Sequence, residues 1–303
     1  MPIHLPPLTR RDFLRRSLLA GAALTLGRDR LFAETPAFDA HTWALLSDPH
    51  ISADPALRNG GVAMYENLKA VVSEIGALAS RPSRMLINGD CAKYNGEPGD
   101  YANFFYLLEP IREAGLPIDL TIGNHDDRTH FLASVPGENG KTSPVPDRYV
   151  SMVDTPRANW FLLDSLEEVA KTPGVLGPAQ LKWLAKELDS NASKPAIVCA
   201  HHTPDDPAKG GSGLRDINAL LAVLAPRRHV KAFMFGHSHR WNLTEHEGIH
   251  MINLPAVSYV YDAKQPTGWV HALVEENGLR LQLYALDKGH PENGKVKQLA
   301  WRT

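Results

Sequence analysis

Hydrophobic and polar positions alternate along the chain in a pattern that predicts a succession of strands and helices. Short apolar runs bounded by Gly, Pro or Asn are typical of buried strands, and apolar positions three or four apart are typical of helices. Strands are predicted at 42–47, 84–88, 118–122, 148–153, 159–164, 196–200 and 230–235. Helices are predicted at 62–79, 100–114, 178–188 and 214–224. Such alternation favours an α/β domain.

Three segments depart from this alternation. Residues 127–147 hold many Gly, Pro and Ser and are predicted as a loop. Residues 203–213 could form a lid over a site or an ordinary surface turn. The tail 240–286 alternates and carries Gly turns, which favours antiparallel strands. Because no repeat or linker divides residues 34–303, they are predicted to form one domain.

The first thirty-three residues have a different character. Thr9-Arg10-Arg11-Asp12-Phe13-Leu14-Arg15 precedes a short apolar run at 17–27, and this order resembles a twin-arginine export signal. The resemblance implies export to the periplasm or beyond by the twin-arginine machinery, with cleavage expected after Ala33. The run is too short to span a bilayer comfortably, so no transmembrane span is expected. An amphipathic helix lying at the membrane surface is the alternative.

The charge and the cysteine content limit the classes of protein to which the chain can belong. The chain has a net charge of −2; residues 1–33 hold six Arg and two Asp, which leaves −6 on residues 34–303. An acidic body argues against a nucleic-acid groove, because binding to a phosphate backbone needs a basic stripe. Two cysteines are too few for a disulfide scaffold or a zinc ribbon. Cys91 and Cys199 are predicted as small core residues, with a disulfide between them as the alternative.

Polar side chains gather immediately after five of the predicted strands. Because ligands of α/β sheets bind beyond the carboxyl ends of strands, these side chains are expected to converge on one site. Oxygen and imidazole donors without a thiolate suit Zn, Mn or Fe. The candidates are Asp48, His50, Asp90, Asn124, His125, Asp126, His201, His202, His237 and His239.

The local spacings support a metal site. Asp48 and His50 are two residues apart, so on an extended segment both point to one side. Gly89 allows close approach of the backbone, so that the Asp90 carboxylate can bridge two ions. Gly123 is expected to make a sharp turn before Asn124. His237 and His239 again share a side and could each reach a different ion.

Taken in order, these motifs resemble the five blocks of the calcineurin-like metallophosphoesterase family. The matching segments are Asp48-x-His50, Gly89-Asp90, the run from Gly123 to Asp126, His201 and Gly236-His237-Ser238-His239. The resemblance extends over about 42–255. It implies a four-layer fold of mixed α/β (α+β) type, a two-sheet β-sandwich flanked by helices. Such a fold suits the pattern of strands and helices better than one doubly wound sheet.

The resemblance also implies a ligand set and a mechanism. One divalent ion (Mn, Fe or Zn) would be held by Asp48, His50, Asp90 and His239, and a second by Asp90, Asn124, His201 and His237. Family position favours His201 over His202 as the ligand. A hydroxide that bridges two ions would attack the phosphoester. His125 matches the histidine that protonates the leaving group, and Asp126 could orient His125.

Features that distinguish the branches of this family favour a phosphodiesterase acting on a small phosphoester. Lys93 stands where purple acid phosphatases carry a tyrosine ligand, and the Gly-His-x-His block is similar to the cyclic-nucleotide and glycerophosphodiester branch. A phosphomonoesterase of the same fold and a catalytically silent metal-binding protein remain alternatives. His202, Arg128 and Tyr94 are candidate substrate contacts. His202 could equally lie behind a metal ligand and hold it in place. Arg128 could instead be an ordinary surface residue, and Tyr94 could be packed against its neighbours.

Overall fold

The computed structural model describes residues 38–136 and 143–303. The predicted export signal at 1–33 lies outside the described residues. In the part that is described, no helix combines the length and apolar character needed to cross a bilayer.

Two six-stranded sheets form the centre of the protein. The first has the order β14-β13-β12-β1-β4-β5. Its strands are β1 (Phe38–Leu46), β4 (Arg81–Asn88), β5 (Ile118–Thr121), β12 (Gly268–Val274), β13 (Gly278–Ala285) and β14 (Val296–Ala300). The second has the order β10-β11-β9-β8-β7-β6. Its strands are β6 (Ser151–Asp154), β7 (Asn159–Leu162), β8 (Ala196–Cys199), β9 (Val230–Phe235), β10 (Asn242–His246) and β11 (Ile249–Asn253). A small hairpin joins β2 (Arg58–Asn59) to β3 (Val62–Ala63).

Five α-helices occur among the described residues. They are α1 (Met64–Gly76), α2 (Pro98–Glu113), α3 (Arg128–Ser134), α4 (Pro178–Ser190) and α5 (Ile217–Leu224). Four of them match predicted helices, whereas α3 lies in the segment predicted as a loop, so that expectation is wrong there. The Asp127 carboxylate accepts a hydrogen bond from the His130 backbone N–H at 2.9 Å and caps α3. Phe131 anchors the helix in the core.

The strands of the two sheets alternate their side chains between a shared interior and a helical layer. Trp43 and Leu45 of β1 point between the sheets, where the Trp43 ring stacks on Trp160 of β7 with centroids 4.1 Å apart. Ala44 and Leu46 point the other way, towards α1, α2 and α3. The outer face of the second sheet packs against α4 and α5. The layers are therefore helices, sheet, sheet and helices, which confirms the predicted four-layer sandwich.

The C-terminal strands are divided between the two sheets. The tail was predicted as antiparallel strands, and β10 does pair antiparallel with β11. Strand β11 also pairs in parallel with β9, which the alternation did not predict. Strands β12, β13 and β14 cross to the first sheet, where β12 runs antiparallel to β1. Strand β14 lies beyond the segment for which strands were predicted.

The topology brings five strand ends to one edge of the sandwich. Strands β1, β4 and β5 pair in parallel in the first sheet, and β8 and β9 pair in parallel in the second. Their carboxyl ends therefore deliver the polar motifs from both sheets to one place, as the sequence predicts.

Candidate metal centre

One group of predicted ligands gathers around Asp48. The Oδ1 atom of Asp48 lies 3.3 Å from Nε2 of His239 and 3.9 Å from Nε2 of His50. The two imidazoles approach each other to 3.1 Å between their Nε2 atoms. One donor atom from each of these three residues fits within 4.8 Å of the other two. All three side chains are buried, so the group forms a compact cage for a cation.

A second group gathers around Asp90. Asp90, His201 and His237 each place a donor atom within 4.8 Å of the other two. The Oδ2 atom of Asp90 lies 3.1 Å from Nε2 of His201 and 3.6 Å from Nε2 of His50. Asp90 therefore reaches the second group and a member of the first, as a bridging carboxylate must.

Asn124 offers the clearest sign that a ligand is needed. Its Oδ1 atom is buried and has no hydrogen-bond partner within residues 38–136 and 143–303. Leaving such an oxygen unpaired costs about 1–3 kcal/mol, and coordination to a cation removes that cost. With two carboxylates, one amide oxygen and four imidazoles converging, the residues present fit divalent ions of the Zn, Mn or Fe type.

The backbone of the ligand residues is unusual. Asp48, His50, Asp90, His237 and His239 all have positive φ, between 48° and 66°. The expectation that the first two share one side of an extended segment is therefore wrong, because left-handed turns aim their side chains. Each such residue costs about 1 kcal/mol or more, and backbone hydrogen bonds from neighbouring strand ends hold the turns in place.

Two glycines make room for this convergence. Gly89 has φ +77°, and a Cβ there would lie 2.5 Å from Nδ1 of His201. A Cβ at Gly123 would lie 2.2 Å from Oδ1 of Asp90. Any side chain at these positions would push two ligands apart, which supports the close approach that the sequence predicts.

Backbone carbonyls orient three of the imidazoles. The Nδ1 atoms of His201, His239 and His50 face a carbonyl oxygen at 2.9, 2.6 and 3.3 Å. The acceptors belong to Asn88, Tyr259 and Lys93 in that order. With the proton on Nδ1, each Nε2 lone pair is directed into the centre, which is the arrangement of metal-binding histidines. His237 differs, since its Nε2 lies 3.1 Å from Oγ of Ser212.

Charge is balanced inside the centre. Burial raises the pKa of Asp48, but the neighbouring His239 and His201 outweigh burial and hold that pKa below its ordinary value. The pKa of Asp90 is lowered in the same way, mainly by His201. Burial lowers the pKa of His201, but Asp90 and Asp48 raise it overall to about 10. Protons on imidazoles therefore neutralise the carboxylates where divalent cations would do so.

Two other ligand imidazoles are neutral. Burial, assisted by His239, lowers the pKa of His50 to about 3. Burial, assisted by His201, lowers the pKa of His237 to about 4. A neutral imidazole keeps a free lone pair, so both side chains are ready to bind a cation without losing a proton.

His125 lies at the rim of the centre. Its ring centroid is 5.1 Å from that of His50, and its Nδ1 pairs with the carbonyl oxygen of Tyr94 at 2.9 Å. The backbone N–H of His125 donates to Oδ1 of Asp90 at 2.9 Å. His125 is half-buried, as His237 is, and lines the cleft described below. Its Nε2 is therefore the ring atom available to a substrate.

Asp126 does not orient His125, contrary to the sequence-based expectation. Its carboxylate is fully buried and accepts hydrogen bonds from the backbone N–H groups of Cys91, Ala92 and Gly123 at 2.9–3.2 Å. The Tyr101 hydroxyl donates to it as well, at 3.2 Å. Burial, together with Asp90, raises the pKa of Asp126 to about 6. Asp126 therefore links the turn that contains Asp90 to the turn that contains Asn124.

The three candidate substrate contacts occupy different surroundings. Arg128 forms a two-pronged ion pair with the buried Asp164, at 2.6 and 2.9 Å, so the expected substrate contact is wrong. His202 is fully buried, and its Nδ1 lies 2.8 Å from Oγ of Ser165. It packs behind the centre, with its ring centroid 4.8 Å from that of His237. Tyr94 is 57% exposed and stands beside His125, where a substrate can reach it.

A cleft of about 850 Å³ opens from the centre. Asn124, His125 and His237 line its inner end. Residues that the sequence motifs did not single out line the rest of it: Ser212, Arg240, Asn242, Thr244 and Tyr261 are among them. Arg240 directly follows the last metal motif, and that adjacency was the one signal available in the sequence.

The two cysteines are free and buried. Cys199 lies between the sheets and Cys91 packs under α1 and α2, so both are core residues and the alternative disulfide is absent.

Comparison with known proteins identifies the class. Residues 42–241 match the sequence profile of the calcineurin-like phosphoesterase family, and the chain therefore belongs to that family. A 3′,5′-cyclic adenosine monophosphate phosphodiesterase of Pseudomonas aeruginosa is 30% identical over 218 residues, covering 69% of this chain and 73% of the relative. A probable cyclic nucleotide phosphodiesterase of Rhodococcus erythropolis is 29% identical over 232 residues, covering 75% and 74%.

A solved structure shows the same fold. The dimetal phosphatase from Danio rerio superposes with a TM-score of 0.67 at 15% identity, covering 86% of this chain and 99% of that protein. Family membership and the clustered donors together define the protein as a metal-dependent phosphoester hydrolase.

Proposed function

We propose that the protein is a phosphodiesterase with a binuclear metal centre and that cyclic nucleotides are its substrates. The observation that carries the proposal is the position of Asp90, whose Oδ2 lies within 3.6 Å of an imidazole in each of the two ligand groups. A carboxylate so placed can be shared by two ions. The relatives named as cyclic nucleotide phosphodiesterases support the choice of substrate.

The seven predicted ligands divide between the two ions as the family resemblance implies. Asp48, His50 and His239 belong to one site, Asn124, His201 and His237 to the other, and Asp90 to both. When bound, two divalent ions polarise the phosphoryl oxygens and supply a nucleophile at neutral pH. Two carboxylates against two divalent cations leave a net positive charge, which favours an anionic phosphoester.

His125 completes the chemistry as the proton donor. The Tyr94 carbonyl fixes its Nδ1 at 2.9 Å, so the Nε2 atom points into the cleft. From there, a protonated His125 can deliver a proton to the oxygen of the leaving alcohol as the phosphoester bond breaks. Asn124 and His237 line the same cleft, so a phosphoryl group bound beside them would lie near His125.

The cleft favours a diester over a monoester. A monoester needs space at the centre for one alkyl or aryl group, whereas this cleft of about 850 Å³ also extends along Arg240 and Tyr261, which line it. The additional volume accommodates the part of a diester that lies beyond the scissile bond.

The decisive experiment compares four substrates on metal-quantified protein. We expect Mn²⁺-loaded protein to hydrolyse bis-p-nitrophenyl phosphate, cyclic AMP and cyclic GMP faster than p-nitrophenyl phosphate. The Asp90→Asn variant should lose both activity and bound metal, whereas the surface variant Asp54→Asn should keep both. Faster turnover of the monoester would overturn the diesterase proposal. Two bound ions without any turnover would indicate a metal-binding protein instead.

We also propose export through the twin-arginine route. The pair Arg10-Arg11 followed by Phe13-Leu14 supports it. Replacing Arg10 and Arg11 together by Lys should retain a tagged protein in the cytoplasm. The same replacement at Arg28 and Arg30 is the matched control and should leave export intact. Equal export of both double variants would contradict the proposal.

A further inference from the structure

The cleft contains a cation that the metal centre does not use. Arg240 is the only arginine or lysine among the described residues that line it. Its side chain is exposed, and its guanidinium has no hydrogen-bond or ion-pair partner in the described ranges 38–136 and 143–303. Because residues 34–303 carry a net charge of −6, an arginine left without a carboxylate partner is notable.

The acidic residue of the cleft does not neutralise Arg240. Asp205 also lines the cleft, but its Oδ2 accepts hydrogen bonds from the backbone N–H groups of Ser212 and Gly213 at 3.0 and 3.2 Å. The Asp205 carboxylate therefore stabilises the loop that runs from Asp205 to Gly213. The guanidinium donors of Arg240 remain available to a ligand.

An exposed aromatic ring lines the same cleft. Tyr261 is 73% exposed, although its ring packs against His239 with centroids 4.7 Å apart and meets the Tyr259 ring edge-on at 5.8 Å. These contacts fix the orientation of the ring and leave much of its surface in the cleft. Planar bases stack on such rings, with a gain of about tenfold in affinity or more.

We propose that Tyr261 and Arg240 form a base-binding subsite and that this subsite prefers guanine. The inference rests on the proposed function, since it deals with the part of a nucleotide that lies outside the metal centre. Tyr261 would stack on the base while Arg240 donates two hydrogen bonds to its edge. Guanine presents two adjacent acceptors, O6 and N7, to the guanidinium group, whereas adenine presents a donor next to N7. Discrimination of about tenfold between the two bases follows from one such bidentate contact.

Calorimetric titration tests the subsite directly. Mn²⁺-loaded full-length protein is titrated with guanosine 5′-monophosphate and adenosine 5′-monophosphate, and the ratio of the two dissociation constants is the readout. The unaltered protein should favour the guanine nucleotide about tenfold. Arg240→Met should abolish the preference, and Arg228→Met, a change at an exposed arginine outside the cleft, should preserve it.

A second variant tests the stacking contact. Tyr261→Ala should weaken both nucleotides about tenfold, and Tyr261→Phe should restore both affinities. An unaltered protein without a guanine preference, or a preference that survives Arg240→Met, overturns the proposal. A preference for adenine that disappears in Asn242→Ala would place the base edge on Asn242 and overturn it as well.

The result is separable from the proposed function. Failure to hydrolyse either cyclic nucleotide, with bis-p-nitrophenyl phosphate still turned over, would refute the cyclic-nucleotide activity. The ratio of dissociation constants would still report on Arg240, because it does not depend on hydrolysis of a cyclic nucleotide.

Discussion

Replacing Asp126 by Asn removes half of the acceptor capacity of a fully buried carboxylate. Oδ2 accepts from the N–H groups of Cys91 and Gly123, and Oδ1 accepts from the N–H of Ala92 and from the Tyr101 hydroxyl. An amide keeps one oxygen, so its NH₂ group must face at least one backbone N–H. In the better orientation the NH₂ faces Ala92 and Tyr101. The Tyr101 hydroxyl can then rotate and accept, but the Ala92 N–H loses its partner.

One buried donor without a partner costs about 1–3 kcal/mol, and we expect Asp126→Asn to lower the free energy of unfolding by that amount. The substitution also loosens the link between the Asp90 and Asn124 turns. Loss of a residue that supports metal ligands typically reduces metal affinity by about 10–100-fold. Urea unfolding of the metal-free protein and metal titration measure the two effects separately.

The neighbouring residue supplies a matched control. Asp127 caps α3 with a single acceptor oxygen, and Asn caps a helix as well as Asp does. Asp127→Asn should therefore change the free energy of unfolding by less than about 0.5 kcal/mol. Equal stability of the two variants would refute the reasoning. So would an Asp126→Asn variant that keeps stability and metal but shifts the pH–rate profile, because that result would return Asp126 to the role of orienting His125.

Three further outcomes are expected. His125→Ala should retain both metals, as counted by elemental analysis, and slow turnover by about 10²–10⁴; an empty centre would make His125 a ligand instead. Chelation should lower the melting temperature, because an ion at 100 times its dissociation constant stabilises the fold by about 2.7 kcal/mol; an unchanged melting temperature would argue against a structural contribution. The metal-free protein should be most stable near pH 6.5. Stability is lost below that pH because His50 and His237 have lowered folded pKa values of about 3 and 4, so the unfolded chain takes up their protons first. It is also lost towards pH 10, where His201 gives up its proton; a flat profile from pH 4 to 10 would contradict these assignments.

The sequence predicted that the candidate ligands converge, because each one follows a strand. Strand ends carry a pattern that can be recognised locally, and the parallel pairing of β1, β4 and β5 brings their ends together regardless of distance along the chain. The pattern of strands and helices predicted a mixed α/β domain, and the four-layer sandwich was implied by the family resemblance. Helix α3 was missed because its seven residues are too few to show a helical period.

The surroundings of the ligands were not predictable in the same way. Three imidazoles are oriented by backbone carbonyls, which every residue possesses, so no side-chain pattern marks Asn88, Lys93 or Tyr259. The role of Asp126 was misjudged because adjacency to His125 in sequence does not determine where a side chain points after a tight turn. Arg240 adjoins the last metal motif in sequence, but no sequence pattern places Tyr261 in the same cleft.

The candidate ligands come from both sheets, so the proposed ions would link the two sheets of the sandwich. Asp48, His50, Asp90 and Asn124 follow strands of one sheet, and the other three ligands follow strands of its partner. Whatever holds a cation here therefore also holds the two halves of the protein together at this edge. Opening of either sheet at this edge must release the cation, so amide exchange at the ends of β4 and β9 should slow together upon loading, although these strands belong to different sheets.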